Sequence, residues 1–173
     1  MSREFELKLG LGAKQFAQMA RLFGARAITK PSTRRLKSVY FDTPDHGLAT
    51  RRVALRVRHD GDRRVQTIKT EGDRQGYTRG EWERELAGDQ PELSDLPDAG
   101  EASSVLAGAA VQERLKPVFV TDVERSEWLL DLGDGTEVVC TLDEGEVRSG
   151  SRSTAIREAE LELKTGRAAE VFD

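Results

Sequence analysis

The sequence predicts an α+β fold rich in strands, and three observations carry that prediction. Charged and apolar residues alternate along segment after segment. Helical spacing is confined to two short stretches. A single Gly-, Pro-, Asp- and Ser-rich stretch at residues 88–104 reads as a crossing between two halves of one fold.

Residues 3–9 place Glu4, Glu6 and Lys8 on one side of a strand and Arg3, Phe5, Leu7 and Leu9 on the other, with Gly10 and Gly12 ending it. Residues 13–23 carry Phe16, Met19, Ala20, Leu22 and Phe23 at helical spacing, and Gly24 is the expected stop. A basic stretch, Lys30, Arg34, Arg35 and Lys37, leads into a strand at 38–43 and the turn Thr43-Pro44-Asp45-His46-Gly47. That stretch reads as an anion-steering segment at a site mouth or as an exposed loop. Strand 53–59 sets Val53, Leu55 and Val57 against Arg56 and Arg58. Asp60-Gly61-Asp62 then turns the chain into a return strand at 63–70. Residues 72–76 are polar linker, and strand 79–86 puts Arg79, Glu81, Glu83 and Glu85 on one side. An Ala-rich second helix is expected over 103–113, followed by strands at 118–125, 127–132, 138–143 and 155–164. The total is about eight strands and two helices.

Composition narrows the class. The chain has 173 residues, 27 Lys+Arg and 31 Asp+Glu, a net charge of -4, and 37% hydrophobic residues, enough for a core without staples. Residues 1–173 read as one domain. No run approaches the ~20 apolar residues of a membrane span, and the first residues offer no apolar leader, so a cytoplasmic address without a membrane partner is expected. Mild acidity argues against a nucleic-acid partner. The lone Cys140 forms no intrachain disulfide and reads as a packed strand residue. His46 and His59 sit at turns and suggest no metal centre, and Trp82 and Trp128 alternate away from the charged sides as outer packing.

One strand at a time, such alternation describes a charged face in water. Here it recurs at Glu4/Glu6/Lys8, Arg56/Arg58, Lys69, Arg79/Glu81/Glu83, Arg125, Asp143 and Glu158/Glu160/Glu162/Lys164. An open sheet can expose such a face. A closed barrel can instead turn its apolar sides outward beneath helices and line a wet lumen with charge. Buried charges persist when paired or bound to ions, so that lumen would be a site. Clustered carboxylates favour a hard divalent cation, and clustered Arg and Lys favour a polyanion, Arg matching phosphate oxygens bidentately. Together they suit a metal-bound phosphate chain.

In this order the segments resemble the CYTH, or triphosphate tunnel metalloenzyme, superfamily: EFELK (4–8), YFDTPD (40–45), LRVR (55–58), IK (68–69), RGEWER (79–84), Arg125 followed by Trp128, LDEGEV (142–147) and ELELK (160–164). The resemblance implies an eight-stranded antiparallel β-barrel, a tunnel with a charged interior and flanking helices. It implies metal binding by Glu4, Glu6, Asp143, Glu160 and Glu162, with Mg²⁺ or Mn²⁺ as cofactor. It assigns the phosphates to Lys8, Arg56, Arg58, Lys69, Arg79 and Arg125, with Glu81 and Glu83 supporting. The catalytic set is then Glu4, Glu6, Lys8, Arg56, Arg58, Lys69, Glu160 and Glu162.

Bacterial inorganic triphosphatases are the most similar subgroup, which implies hydrolysis of inorganic triphosphate to pyrophosphate and phosphate. Their catalytic domain can precede a helical CHAD domain, for which 173 residues leave no room; a minimal domain or a piece of a longer protein is expected. Competing expectations are a thiamine triphosphatase, a class IV-type adenylyl cyclase, and a polyphosphate- or nucleotide-binding module without turnover. Two acidic pairs disfavour the last, since pure anion binding is better served by fewer negative charges. The sequence leaves the oligomeric state undetermined.

Overall fold

Eight strands build the wall of the molecule in the computed structural model, which describes residues 2–70, 78–96 and 101–171. They are β1 (Ser2–Gly10), β2 (Ser32–Asp42), β3 (Val53–Asp60), β4 (Arg63–Thr70), β5 (Thr78–Glu85), β6 (Lys116–Gly133), β7 (Thr136–Ser149) and β8 (Arg152–Thr165). Helix α1 (Ala13–Arg26) follows β1, and the short α2 (Glu101–Ala107) and α3 (Ala109–Gln112) precede β6. All pairings are antiparallel, and the spatial order β1-β5-β4-β3-β2-β6-β7-β8 returns to β1.

That return is a relay. Residues 2–5 of β1 pair with β5 and residues 6–10 pair with β8. No described residue of β1 is paired on both sides. The uniformly closed tunnel expected from the resemblance is therefore replaced by a curled half-barrel, open along part of its seam. Strand length explains this: β1 has nine residues, whereas β6, β7 and β8 have 18, 14 and 14.

The core lies on the convex side. Against β3 and β4, a cluster of Leu55, Val57 and Ile68 packs with Phe41, Leu48 and the α2 residues Ala102 and Leu106. Against β6, β7 and β8, Phe23 of α1 packs on Trp128, Leu130, Val138, Cys140, Leu142 and Ala159. The Phe23 and Trp128 rings lie 5.7 Å apart at 55°, a tilted arrangement that aromatic pairs favour. Trp82 joins the first cluster and Trp128 the second, so both pack outward as their alternation predicts.

Several local expectations change. Helix α1 runs past Gly24 and ends at Ala27, whose extended backbone bridges to Leu130 while Ile28 N–H donates to the Leu129 carbonyl. Pairing with the sheet, not glycine, stops the helix. Leu22 is 44% exposed, because the buried stripe follows residues 16, 19, 20 and 23. The basic stretch at 30–37 belongs to β2 from residue 32 onward. The strands expected at 118–125 and 127–132 are one, since inward Arg125 and Glu127 and outward Trp128 and Leu130 keep one parity. The second helix is two pieces separated at Gly108, whose N–H donates to the Val105 carbonyl. The linker at 72–76 lies outside the described residues. No helix among the described residues is long and apolar enough to cross a membrane.

Gly145 on β7 lies hard against the β6 backbone. A Cβ there would collide with the Asp122 carbonyl oxygen and lie 2.7 Å from Val123 Cα, both backbone atoms. Gly145→Ala is expected to lower stability by about 2 kcal/mol through overpacking, read by urea denaturation. Gly88→Ala, where nothing lies within 4 Å, should be nearly neutral.

Candidate functional site

The concave face gathers the inward side chains of the curled sheet. Strand alternation brings Glu6 and Lys8 from β1, Arg56 and Arg58 from β3, Thr67 and Lys69 from β4, Glu81 and Glu83 from β5, Arg125 from β6, Thr141 and Asp143 from β7, and Glu158, Glu160 and Glu162 from β8 onto it. The side chains of Glu4 and Arg79 lie outside those described; their backbones stand opposite one another in the β1–β5 register.

Two ion-pair networks organise the face. In the first, Arg125 donates to both Asp143 oxygens, Nε to Oδ1 at 2.7 Å and a terminal nitrogen to Oδ2 at 2.6 Å, and to Glu160 Oε2 at 2.8 Å. Lys8 Nζ takes up Glu160 Oε1 at 2.9 Å and Glu158 at 2.8 Å. In the second, Lys69 Nζ lies 2.6 Å from Glu81 Oε2, with Arg56 3.7 Å from its other oxygen. Thr67 donates to Glu83 at 3.1 Å.

Between the networks lies Arg58. Its Nε and that of Arg56 are buried without a hydrogen-bond partner. Burial, then the charges of Arg56 and Arg125, push the Arg58 guanidinium down to about 10. An orphaned, crowded cation in a polar hollow invites an anion. Lys8 moves the other way: burial would lower it, but Glu160 and Glu158 outweigh that and raise it. For Glu160, burial alone would raise the carboxyl, yet Arg125 and Lys8 hold it down at about 2.

A cavity of about 270 Å³ opens on this array, bordered by Glu6, Arg56, Arg58, Lys69, Glu160 and Glu162, among others. A second, of about 440 Å³, opens at the end marked by Tyr40 and Phe119, whose rings stack 4.3 Å apart at 17°.

Asp143, expected among the metal ligands, has both oxygens engaged by Arg125. Among the described residues, no three acidic, His or Cys side chains converge as a ready metal cage. The donors are nonetheless hard oxygens, and Glu6 and Glu162 stand directly opposite on neighbouring strands. Facing like charges are unfavourable, and a hard divalent cation between them relieves the repulsion. Cys140 is fully buried, and burial pushes its thiol up to about 12, which makes it inert.

Arg34, which the sequence offers only as part of a basic stretch at a site mouth or in an exposed loop, is a lining residue. It lies 3.2 Å from Glu127 and borders the smaller cavity. The sequence reading missed Tyr40, Thr67 and Thr141. Extending the β2 alternation back through Ser38, Leu36 and Arg34 was the available signal, hidden by the density of basic residues at 30–37. Glu158 and Lys164 sit at the borders, paired with Lys8 and Glu162.

Comparison with known proteins adds an independent view. The CYTH domain family matches residues 2–173. An inorganic triphosphatase of Haemophilus influenzae is 27% identical over 176 residues, covering 100% of this chain and 48% of that protein. The chain thus spans about half the length of that relative. Among solved structures, a Bacillus halodurans protein proposed to be an adenylate cyclase superposes with a TM-score of 0.65 at 21% identity, covering 99% of this chain and 87% of that one. A Hippeastrum protein described as revealing a dominant triphosphatase activity superposes at 0.59 with 16% identity, covering 99% and 83%. At those identities the structural likeness speaks for the fold.

The Glu160 carboxyl supplies a pH prediction. Its folded value of about 2 lies below the ordinary 4.5, so its contribution is fully present above 4.5 and is lost as pH falls toward 2. The loss amounts to about 3 kcal/mol. Urea denaturation between pH 5 and 2 should therefore show a shallower decline for Glu160→Gln than for the unsubstituted protein. Parallel curves would contradict the assignment.

Proposed function

Because this chain belongs to the CYTH domain family, we propose that its concave face binds inorganic triphosphate and hydrolyses it to pyrophosphate and phosphate with Mg²⁺ or Mn²⁺, residues 1–173 acting as the catalytic domain. The observation that carries this reading is Arg58, buried, unpaired at Nε and crowded by Arg56 and Arg125. Such an arrangement is costly without an anion and favourable with one. The lone, buried Cys140 suits a reducing, cytoplasmic setting.

In this reading Arg58 and Arg56 grip the middle of the phosphate chain from β3, with Lys69, Lys8 and Arg125 around it. Arg79 is assigned to the same grip by its sequence motif. Fixed cations around the chain stabilise the charge that grows on the phosphoryl oxygens as the bond to the leaving pyrophosphate breaks. Glu81 and Glu83 orient Lys69 and Thr67. Glu6 and Glu162, with Glu4, Glu160 and Asp143, would hold the divalent ion, Asp143 and Glu160 exchanging part of their contacts with Arg125 and Lys8 for it. When bound, the ion neutralises phosphate oxygens and acidifies a water. Glu160 also keeps Lys8 and Arg125 apart and aimed inward.

A second reading, an organic triphosphate such as thiamine triphosphate, is favoured by the stacked Tyr40–Phe119 pair beside the larger cavity. Flat aromatic rings, the cationic thiazolium among them, suit stacking on such a surface.

The experiment is phosphate release from triphosphate, ATP and thiamine triphosphate with Mg²⁺, with Mn²⁺ and with EDTA. Metal-dependent release favouring triphosphate is expected. Glu6→Ala should cut kcat by about 100-fold, and Arg58→Ala should raise KM about tenfold or more. Arg58→Ala should not lower the melting temperature of the ligand-free protein, since it removes a crowded cation. Unchanged kinetics in both variants would overturn the assignment.

A further inference from the structure

We propose that Arg34 holds the orthophosphate cut from the chain, at the mouth of the smaller cavity, so that the two products are held at different ends of the site. This rests on the triphosphate-binding reading above. Counting back along β2 from Tyr40 in steps of two reaches Ser38, Leu36 and Arg34, all of which face the concave side. Arg34 stands directly opposite Arg125 in the β2–β6 register. Like charges facing each other on neighbouring strands repel, and the two guanidiniums are relieved differently. Arg125 is locked by Asp143 and Glu160 at 2.6 to 2.8 Å. Arg34 meets Glu127 at 3.2 Å and Asp60 at 3.8 Å, with its side chain 43% exposed. Exposed pairs of that kind are weak, so Arg34 can turn to an anion without disturbing the buried network.

The two ends of the site divide the products. Arg34, Glu127 and Glu162 border the smaller cavity, whereas Lys8 borders the larger one with Tyr40 and Phe119. Glu162 faces Glu6 across β1 and β8, and that carboxylate pair is the one assigned above to the divalent ion. The phosphoryl group that water attacks therefore lies toward Glu162 and Arg34. The remaining two phosphates stay with Arg56, Lys69 and Lys8 toward the larger cavity. Orthophosphate oxygens match the planar fork of a guanidinium, while Glu127 and Glu162 repel the same anion. One cation among acids gives a weak and reversible hold, which suits a group on its way out.

The test follows triphosphate consumption with Mg²⁺ by ion chromatography, giving the Ki of added orthophosphate and of added pyrophosphate. Calorimetry in EDTA gives the Kd of both products and of triphosphate. Arg34→Gln should raise Ki and Kd for orthophosphate about tenfold, and those for pyrophosphate about twofold or less. Arg34→Lys should recover part of the loss. Glu127→Gln removes the competitor for Arg34 and should lower the orthophosphate Ki about threefold. That gain should vanish when Glu127→Gln is combined with Arg34→Gln. Equal shifts for both products, no shift, or a Glu127→Gln gain that survives without Arg34 would overturn the role of Arg34 while leaving the triphosphate site standing. An unsubstituted protein that neither hydrolyses triphosphate nor binds it would instead overturn the site itself.

Discussion

Arg125 ties together the part of the sheet that is hardest to close. From β6 it holds Asp143 on β7 and Glu160 on β8, and Glu160 passes the connection to Lys8 on β1. Lys8 and Glu160 stand directly opposite in the β1–β8 register, so the chain of charges crosses the seam where β1 changes partner. Breaking such a buried pair from one side leaves an uncompensated charge and costs about 3–5 kcal/mol. The network therefore works as structure and as site at once.

A charged concave face obliges the rest of the molecule to bury apolar surface outside. Leu55, Val57 and Ile68 lie under the α2 segment and the Leu48 turn, and Trp128, Cys140 and Leu142 lie beneath α1. Each strand thus has two unlike faces, and a slip of one residue would exchange them. Conversion of charge to apolar burial is prohibitive on both sides of the wall, so the register of long β6, β7 and β8 is strongly specified. The helices are small because each covers only a few strands.

Electrostatic balance differs across the face. At the seam, Arg125 and Lys8 are matched by Asp143, Glu158 and Glu160. Toward β3, Arg58 meets other cations before it meets acids, and its guanidinium is pushed down. Charges that are neutralised fix geometry, whereas a charge that is not neutralised supplies binding. This division lets a preorganised site hold its shape before the ligand arrives.

Much of this was legible in the residues. Alternation in EFELK, LRVR and ELELK identified the charged face, and the β3–β4 hairpin was read at Asp60-Gly61-Asp62 because Asp-Gly is a strong turn signal. The extent of β2 was obscured, since Arg34, Arg35 and Lys37 crowd the alternation that Leu36 and Ser38 carry; pairing with β6 makes them a strand. Nor could Gly24 reveal that α1 continues until Ala27 meets Leu130. Local periodicity assigns each side chain to a face, because that depends only on backbone geometry. Which carboxylate meets which cation, that Asp143 turns to Arg125, that Arg58 is left unmatched, and that β1 joins the wall by halves were decided by tertiary structure. Those outcomes depend on distances between strands far apart in the chain.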